Sequence, residues 1–446
     1  MKAATVEAPL SRERDDAELS RATVRRVTVR LIPFVFVLFV CNYLDRNNIG
    51  IAKLQMARDL SWLSESVYGF GAGVFFIGYS LLEVPSNLIL ARVGARRWMA
   101  RIMISWGIVA SAMMFVRTPM QFYVLRFLLG VTEAGFFPGI VYYFSDWFPA
   151  RERARALAWF MTAIPVSAAI GNPISGLLLG LDGRRDLAGW EWLFLIEGIP
   201  SVLLGVAVLA ALPDRPSDAK WLTDEQRTWL AARIERDRET SGAPHGVPPL
   251  RALVHPVILL SSVVYFFAML SSYSYAFWAP TIVRDAIGAS NLAVGLVTGA
   301  MGAFAAVVMV LVGARSDRRG ERGKHAAASI SIAAVGWLGA GILPNPHVRM
   351  IALALVPAGV YGFLGPFWVM PATLLQGSAA AAGIALVNAL GATAGFVGPY
   401  AVGLLKDATG STAGSCVGLS VTALVTAGLC LALGRRVSAF RPVRPV

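Results

Sequence analysis

Twelve apolar runs, each long enough to cross a bilayer, recur along this 446-residue chain and leave few folds open to it. A helix rises about 1.5 Å per residue, so roughly 20 apolar residues span the hydrocarbon layer. The runs fall at about 31–52, 68–91, 99–117, 119–144, 155–180, 190–212, 256–284, 292–314, 325–344, 349–371, 380–404 and 411–434. Only helices and closed barrels satisfy their backbone in lipid, and runs of this length are helical. The expected fold class is therefore an all-α membrane protein of 12 transmembrane helices. Composition agrees: 56% of residues are hydrophobic and 15% charged, against about 25% charged in soluble proteins.

Thirty of the 40 Lys and Arg residues fall on the side of the two chain ends, eight on the other, and Arg46 and Arg126 within runs. That bias places both ends in the cytoplasm. It also accounts for the net charge of +13 without nucleic acid as a partner. Residues 1–30 form a polar tail without the short apolar core and cleavage site of a signal peptide. Residues 213–255 are the single long break in hydropathy and divide the runs into bundles at 31–212 and 256–434. Residues 435–446 form a second cytoplasmic tail. Within the break, Thr223 and Gln226 have the spacing of a capping box before an amphipathic helix reaching about Glu239, expected as a solvated linker.

Charges inside the runs need a reason, because each costs roughly 3 kcal/mol or more in hydrocarbon. Asp45 and Arg46 interrupt the first run within Cys41-Asn-Tyr-Leu-Asp-Arg-Asn-Asn48; Arg126 and Glu133 interrupt the fourth, seven residues apart on one helix face. Charges of both signs on two spans describe a polar cavity inside a membrane protein. A guanidinium stays protonated and offers a planar fork, so Arg46 and Arg126 are the expected hooks for a carboxylate. Asp45 and Glu133, caught between desolvation and neighbouring arginines, are the expected proton carriers, with Glu133 deeper and Asp45 nearer the outer mouth. The alternative is that these are permanent salt bridges joining helices. Three cysteines inside spans and four histidines (His245, His255, His325, His347) in or beside loops assemble no metal site or nucleophilic triad. Neither an enzyme nor a cofactor is expected.

The two halves share a repeat. The loop after the eighth run reads Gly313-Ala-Arg-Ser-Asp317-Arg318-Arg-Gly320-Glu-Arg322, and the loop after the second matches it at Arg92, Gly94 and Arg96 while carrying Asn87 and Ala91 for the Gly and Asp. The pattern resembles the loop signature of the major facilitator superfamily, in which this loop pins neighbouring helix ends. Tyr43–Asn48, Gly78–Asn87, Leu125–Pro138, Trp147–Pro149, Trp192–Gly198 and Leu212–Pro216 with Trp221–Thr223 look like the anion:cation symporter family of that superfamily. The tartrate and aromatic-acid branches look nearest.

The resemblance implies two bundles that rock around a midplane site and import a small organic anion with protons: tartrate, a sugar acid or an aromatic carboxylate. It implies that Tyr79, Trp368 and Asn388 complete the substrate site, and it supports Asp45 and Glu133 as the proton-coupling pair. A helix–helix hydrogen bond is the alternative for Asn388, and packing the alternative for Tyr79 and Trp368. Tyr273, Tyr275 and Trp278 form either a gate or an interfacial belt. Glu83 and Glu197 read as bonds between helices, and Asp146 as a neighbour of Arg151 and Arg153. The expected partners are the anion, protons and the bilayer of a bacterial inner membrane, with the chain as a monomer. Two rivals are a proton-coupled drug exporter of the same fold, which would favour an acidic cavity, and a membrane sensor that binds an anion without moving it.

Overall fold

The computed structural model describes residues 8–241, 253–372 and 377–439. Twelve helices are long and apolar enough to cross a membrane: Asp16–Asp59, Glu65–Val93, Ala95–Phe115, Pro119–Trp147, Arg155–Leu181, Gly189–Ala211, Pro256–Ile287, Asn291–Arg319, Arg322–Ile342, Pro346–Pro371, Ala382–Thr409 and Ala413–Ser438. These are spans 1 to 12. Hydroxyl caps set several of their starts. Ser64 Oγ accepts from the Val67 amide at 3.2 Å, Ser290 Oγ from Ala293 at 3.3 Å, and Thr118 with Gln121 closes a capping box at the head of span 4.

Span 3 packs on span 6 and span 2 on span 4 in the first half; span 9 packs on spans 10 and 12 in the second. Across the halves, span 2 lies along span 11, span 5 along span 8, and span 7 meets the end of span 1, while span 7 packs on span 11 within the second half. Glycine makes the closest crossings possible. A Cβ on Gly69 would stand 2.5 Å from the Pro399 carbonyl, and one on Gly295 would stand 2.4 Å from the Asn172 carbonyl. Close backbone approach of this kind replaces the hydrophobic drive that lipid cannot supply.

Two segments differ from the sequence expectation. The polar stretch before span 1 is not an open tail: helix runs unbroken from Ala8 to Asn47. The linker carries the expected helix, Asp224–Ser241, with the Thr223–Gln226 box in place, but it is docked rather than solvated. Leu230 is fully buried, Trp221 stacks on Trp147 with ring centres 5.7 Å apart, and Arg26 Nη1 donates to Gln226 Oε1 at 3.1 Å. The linker helix thus travels with the first bundle. The side chain of Arg151, expected beside Asp146, and the tail beyond residue 439 lie outside what the structure describes.

Both described ends of the chain emerge on one face, the terminal face; the opposite one is the distal face. At the distal face, charges tie the halves together. Lys53 pairs with Glu65, Lys406 Nζ lies 3.1 Å from Glu65 and 2.9 Å from Asp285, and Asp407 accepts from the Glu65 and Ser66 amides. Lys53 Nζ sits 3.8 Å over the Trp278 ring and 4.4 Å over Tyr68. The distal side is therefore latched shut.

Candidate functional site

Span 4 is not one helix. It runs Pro119–Glu133, breaks, and resumes at Phe136–Trp147. Gly135 adopts a φ of 88°, where a side chain is strained, and its Cβ would strike Ser86 Oγ at 2.3 Å. Ser86 Oγ donates to the freed Ala134 carbonyl at 2.7 Å and accepts from Trp98 Nε1 at 3.0 Å. The break leaves Glu133 as the last residue of the upper rod, projecting toward spans 1 and 2. A discontinuous helix at mid-depth is tolerated where it lines a cavity or is buried in protein.

Arg46 and Glu133 form an ion pair, with Arg46 Nε also donating to Oε1 at 2.8 Å. Glu133 is fully buried and its Oε2 accepts no hydrogen bond. The guanidinium of Arg46 lies 5.2 Å above the rings of both Phe75 and Tyr79. Tyr79 is therefore a floor beneath a cation.

Arg126, two turns above Glu133, is fully buried. Its Nε and Nη2 donate to the Gly71 and Ala72 carbonyls at 3.3 and 3.2 Å, and its Nη1 has no partner. No carboxylate bridges it among the described residues. Phe75 lies 5.3 Å away, so one ring serves both guanidinium groups. A desolvated cation–π contact contributes about 2 kcal/mol, while burying an ion costs several. The shortfall is what an anion entering the site would offset.

Asp45 departs from expectation. Among the described residues it bridges no arginine. It is 1% exposed, and its Oδ2 accepts from Trp106 Nε1 at 2.9 Å and Ser201 Oγ at 2.5 Å, in spans 3 and 6. Successive helical residues project about 100° apart, so Asp45 and Arg46 address different neighbours. The bridge expected at Asp45 is absent; the bridge at Glu133 is made by Arg46 rather than by Arg126 on its own helix.

Asn388 Nδ2 donates to Glu83 Oε1 at 3.0 Å, a hydrogen bond between spans 11 and 2 and thus between the two halves. Trp368 packs edge-on to Tyr265 at 4.8 Å. Tyr273 lies 4.3 Å from Phe76, and Trp278 is fully buried and donates to the Pro399 carbonyl at 3.2 Å. Span 7 therefore turns these aromatics inward, not into an interfacial belt.

At the terminal face the second loop keeps its pattern. Arg322 Nη1 donates to Asp317 Oδ1 at 2.5 Å, Gly320 caps span 8 with a φ of 70°, and Gly313 and Arg318 lie on the helix before it. The first loop solves its missing aspartate from elsewhere. Asp214, just past span 6, accepts from the Arg96 amide at 2.9 Å and stands against Gly94, whose φ is 97°. Arg92 occupies the exposed last turn of span 2. That substitution was invisible to a motif scan because Asp214 lies more than a hundred residues away in sequence.

Twelve spans in two packed halves, with opposite charges buried at mid-depth between them, define a secondary transporter. The chain belongs to the Major Facilitator Superfamily, whose family model matches residues 35–399. Two Agrobacterium vitis proteins provisionally named tartrate transporters are 46% identical over 94% of this chain and 92% and 96% of theirs. A quinolone resistance transporter of Acinetobacter baumannii is 38% identical over 91% of this chain and 94% of its own. The crystal structure of a D-xylose–proton symporter covers 93% of this chain and 98% of its own with a TM-score of 0.69 at 18% identity, which is a likeness of fold.

Proposed function

We propose that this transporter imports a small organic anion in symport with protons across a bacterial inner membrane, as a monomer with the terminal face in the cytoplasm. The observation that carries the reading is Arg126: a fully buried guanidinium that has, among the described residues, no partner for Nη1 and no carboxylate bridging it, beside Arg46, whose anionic partner is removable by a proton. Protonation of Glu133 releases Arg46. Two guanidinium groups sharing the Phe75 ring then face one carboxylate, with Tyr79 below and Asn388 and Trp368 closing from the second half. Discharge of the proton to the cytoplasm restores the Arg46–Glu133 pair and expels the anion. Asp45 takes part as a proton carrier from within the first bundle. The provisional tartrate names at 46% identity support a short hydroxy-carboxylate, and sugar acids and aromatic acids fit the same hooks.

The test is uptake into proteoliposomes of labelled tartrate, a sugar acid and an aromatic carboxylate, with and without an inward proton gradient. Gradient-driven accumulation of one of them is expected. The quinolone relative gives the second reading a specific basis: outward movement of a fluoroquinolone with no carboxylate accumulation would replace import by drug export.

A further inference from the structure

The import cycle above leaves unused one buried carboxyl that no cation bridges among the described residues; the other, Glu191, is paired with Arg117. Glu197 of span 6 is 6% exposed; its Oε1 accepts from Ser175 Oγ at 2.6 Å and its Oε2 from Asn48 Nδ2 at 3.0 Å. One turn further along span 6, Ser201 holds Asp45, and one turn further along span 1, Asn48 holds Glu197. Two carboxyls are thus stitched into one set between spans 1, 5 and 6. The titratable groups facing Glu197 are Asp45 and the Cys41 thiol, both of span 1. Span 3 presents Trp106, span 5 presents Ser175, and no cation bridges either carboxyl among the described residues. Two buried carboxylates without a counter-ion are disfavoured by desolvation and by each other's charge, which a shared proton relieves.

The set has an opening. Asn48 and Ser175 also line a cavity between the two halves, whose other wall includes Thr298 and Tyr361 of the second bundle. Asn48 is 4% exposed, and its Oδ1 has no partner. A water entering that cavity would be one side chain, Asn48 or Ser175, away from Glu197, and the cavity changes whenever the halves move apart.

We propose that Glu197 is a further proton-binding carboxyl of the transport cycle, loaded from this cavity and sharing its proton with Asp45. A hydronium in the cavity gives its proton to a Glu197 oxygen, leaving water and a neutral acid. The proton returns by the reverse step. The inference rests on the proton-coupled reading above, so its test has an arm that needs no transport.

In that arm, infrared difference spectra of the reconstituted full chain are recorded between acidic and alkaline pH. Beside the bands of Glu133 and Asp45, a further protonated-carboxyl component is expected in the wild type, lost in Glu197→Gln and displaced in Ser175→Ala, which removes one donor. In the second arm, protons taken up per labelled tartrate should fall in Glu197→Gln while tartrate exchange persists. A band untouched by Glu197→Gln, or an unchanged proton count, overturns the proposal. Should Glu197→Gln fail to fold, Ser175→Ala decides: an unmoved band overturns it. A wild type indifferent to the proton gradient overturns the coupled reading instead, and the spectra still report whether Glu197 binds a proton.

Discussion

Span 1 serves two polar compartments of opposite character. On one side Arg46 meets Arg126, Phe75, Tyr79 and Glu133, a compartment with more cation than anion. On the other, Asp45 meets Ser201 and Trp106, a compartment with carboxyls and no bridging cation. The two residues are neighbours in sequence and strangers in space. Adjacent opposite charges on a helix do not neutralise each other; each is answered across a different interface, and the pair that does form crosses 87 positions.

The sharpest way to break the comparison is at Arg126. Arg126→Lys keeps the charge and loses the fork, so anion affinity should fall about ten- to a hundredfold, as for the loss of a charged hydrogen bond of about 1.5–3 kcal/mol. Asp45→Asn should leave affinity within about threefold, given the different interface it occupies and the roughly 1.4 kcal/mol that a tenfold change requires. Equal losses in tartrate binding by calorimetry would merge the two compartments into one.

Glu133→Gln tests the junction between them. It mimics the protonated acid, so labelled anion should still exchange across the bilayer while gradient-driven accumulation disappears. Wild-type accumulation would make Glu133 structural; loss of exchange as well would assign it to the shape of the site.

A smaller effect is expected at the distal latch. Glu65→Gln weakens the contacts with Lys53 and Lys406, an effect of about 1–3 kcal/mol for charge-assisted bonds. A cysteine at Ala279, buried in span 7 beside the cavity between the halves, should then react faster with a membrane-impermeant maleimide than in the latched parent, and an unchanged rate would remove Glu65 from the closure. The smallest effect belongs to Asp182, whose carboxyl is held below its usual range by the Gly189 amide and then by Arg58. A depressed carboxyl contributes above its unfolded value, so Asp182→Asn should lower thermal stability by less than about 1 kcal/mol at neutral pH. The difference from wild type should vanish as the pH falls through the carboxylate range.

The architecture was legible because membrane burial writes itself into long apolar runs, and the charges at 45, 46, 126 and 133 stood out against them. Who pairs with whom was not legible. The Arg46–Glu133 pair depends on how spans 1, 2 and 4 are rotated, which periodicity alone leaves open. Glu197 read as a helix–helix bond because its partners, Ser175 and Asn48, are ordinary polar residues until spans 1, 5 and 6 are brought together. The docked linker was missed for a related reason. Its buried residues Leu230 and Ile234 are few among charges, and the aromatic Trp147 that anchors the segment lies at the foot of span 4.

The broken span 4 has a mechanical consequence. Its upper rod carries Arg126 and Glu133, and its lower rod, beginning at Phe136, meets the docked linker through Trp147. With Gly135 as a joint between them, the lower rod can swing to widen an opening at the terminal face while the upper rod keeps its aim. Site and gate then ride on separate levers of one helix, and the opening can widen without first dismantling the Arg46–Glu133 pair.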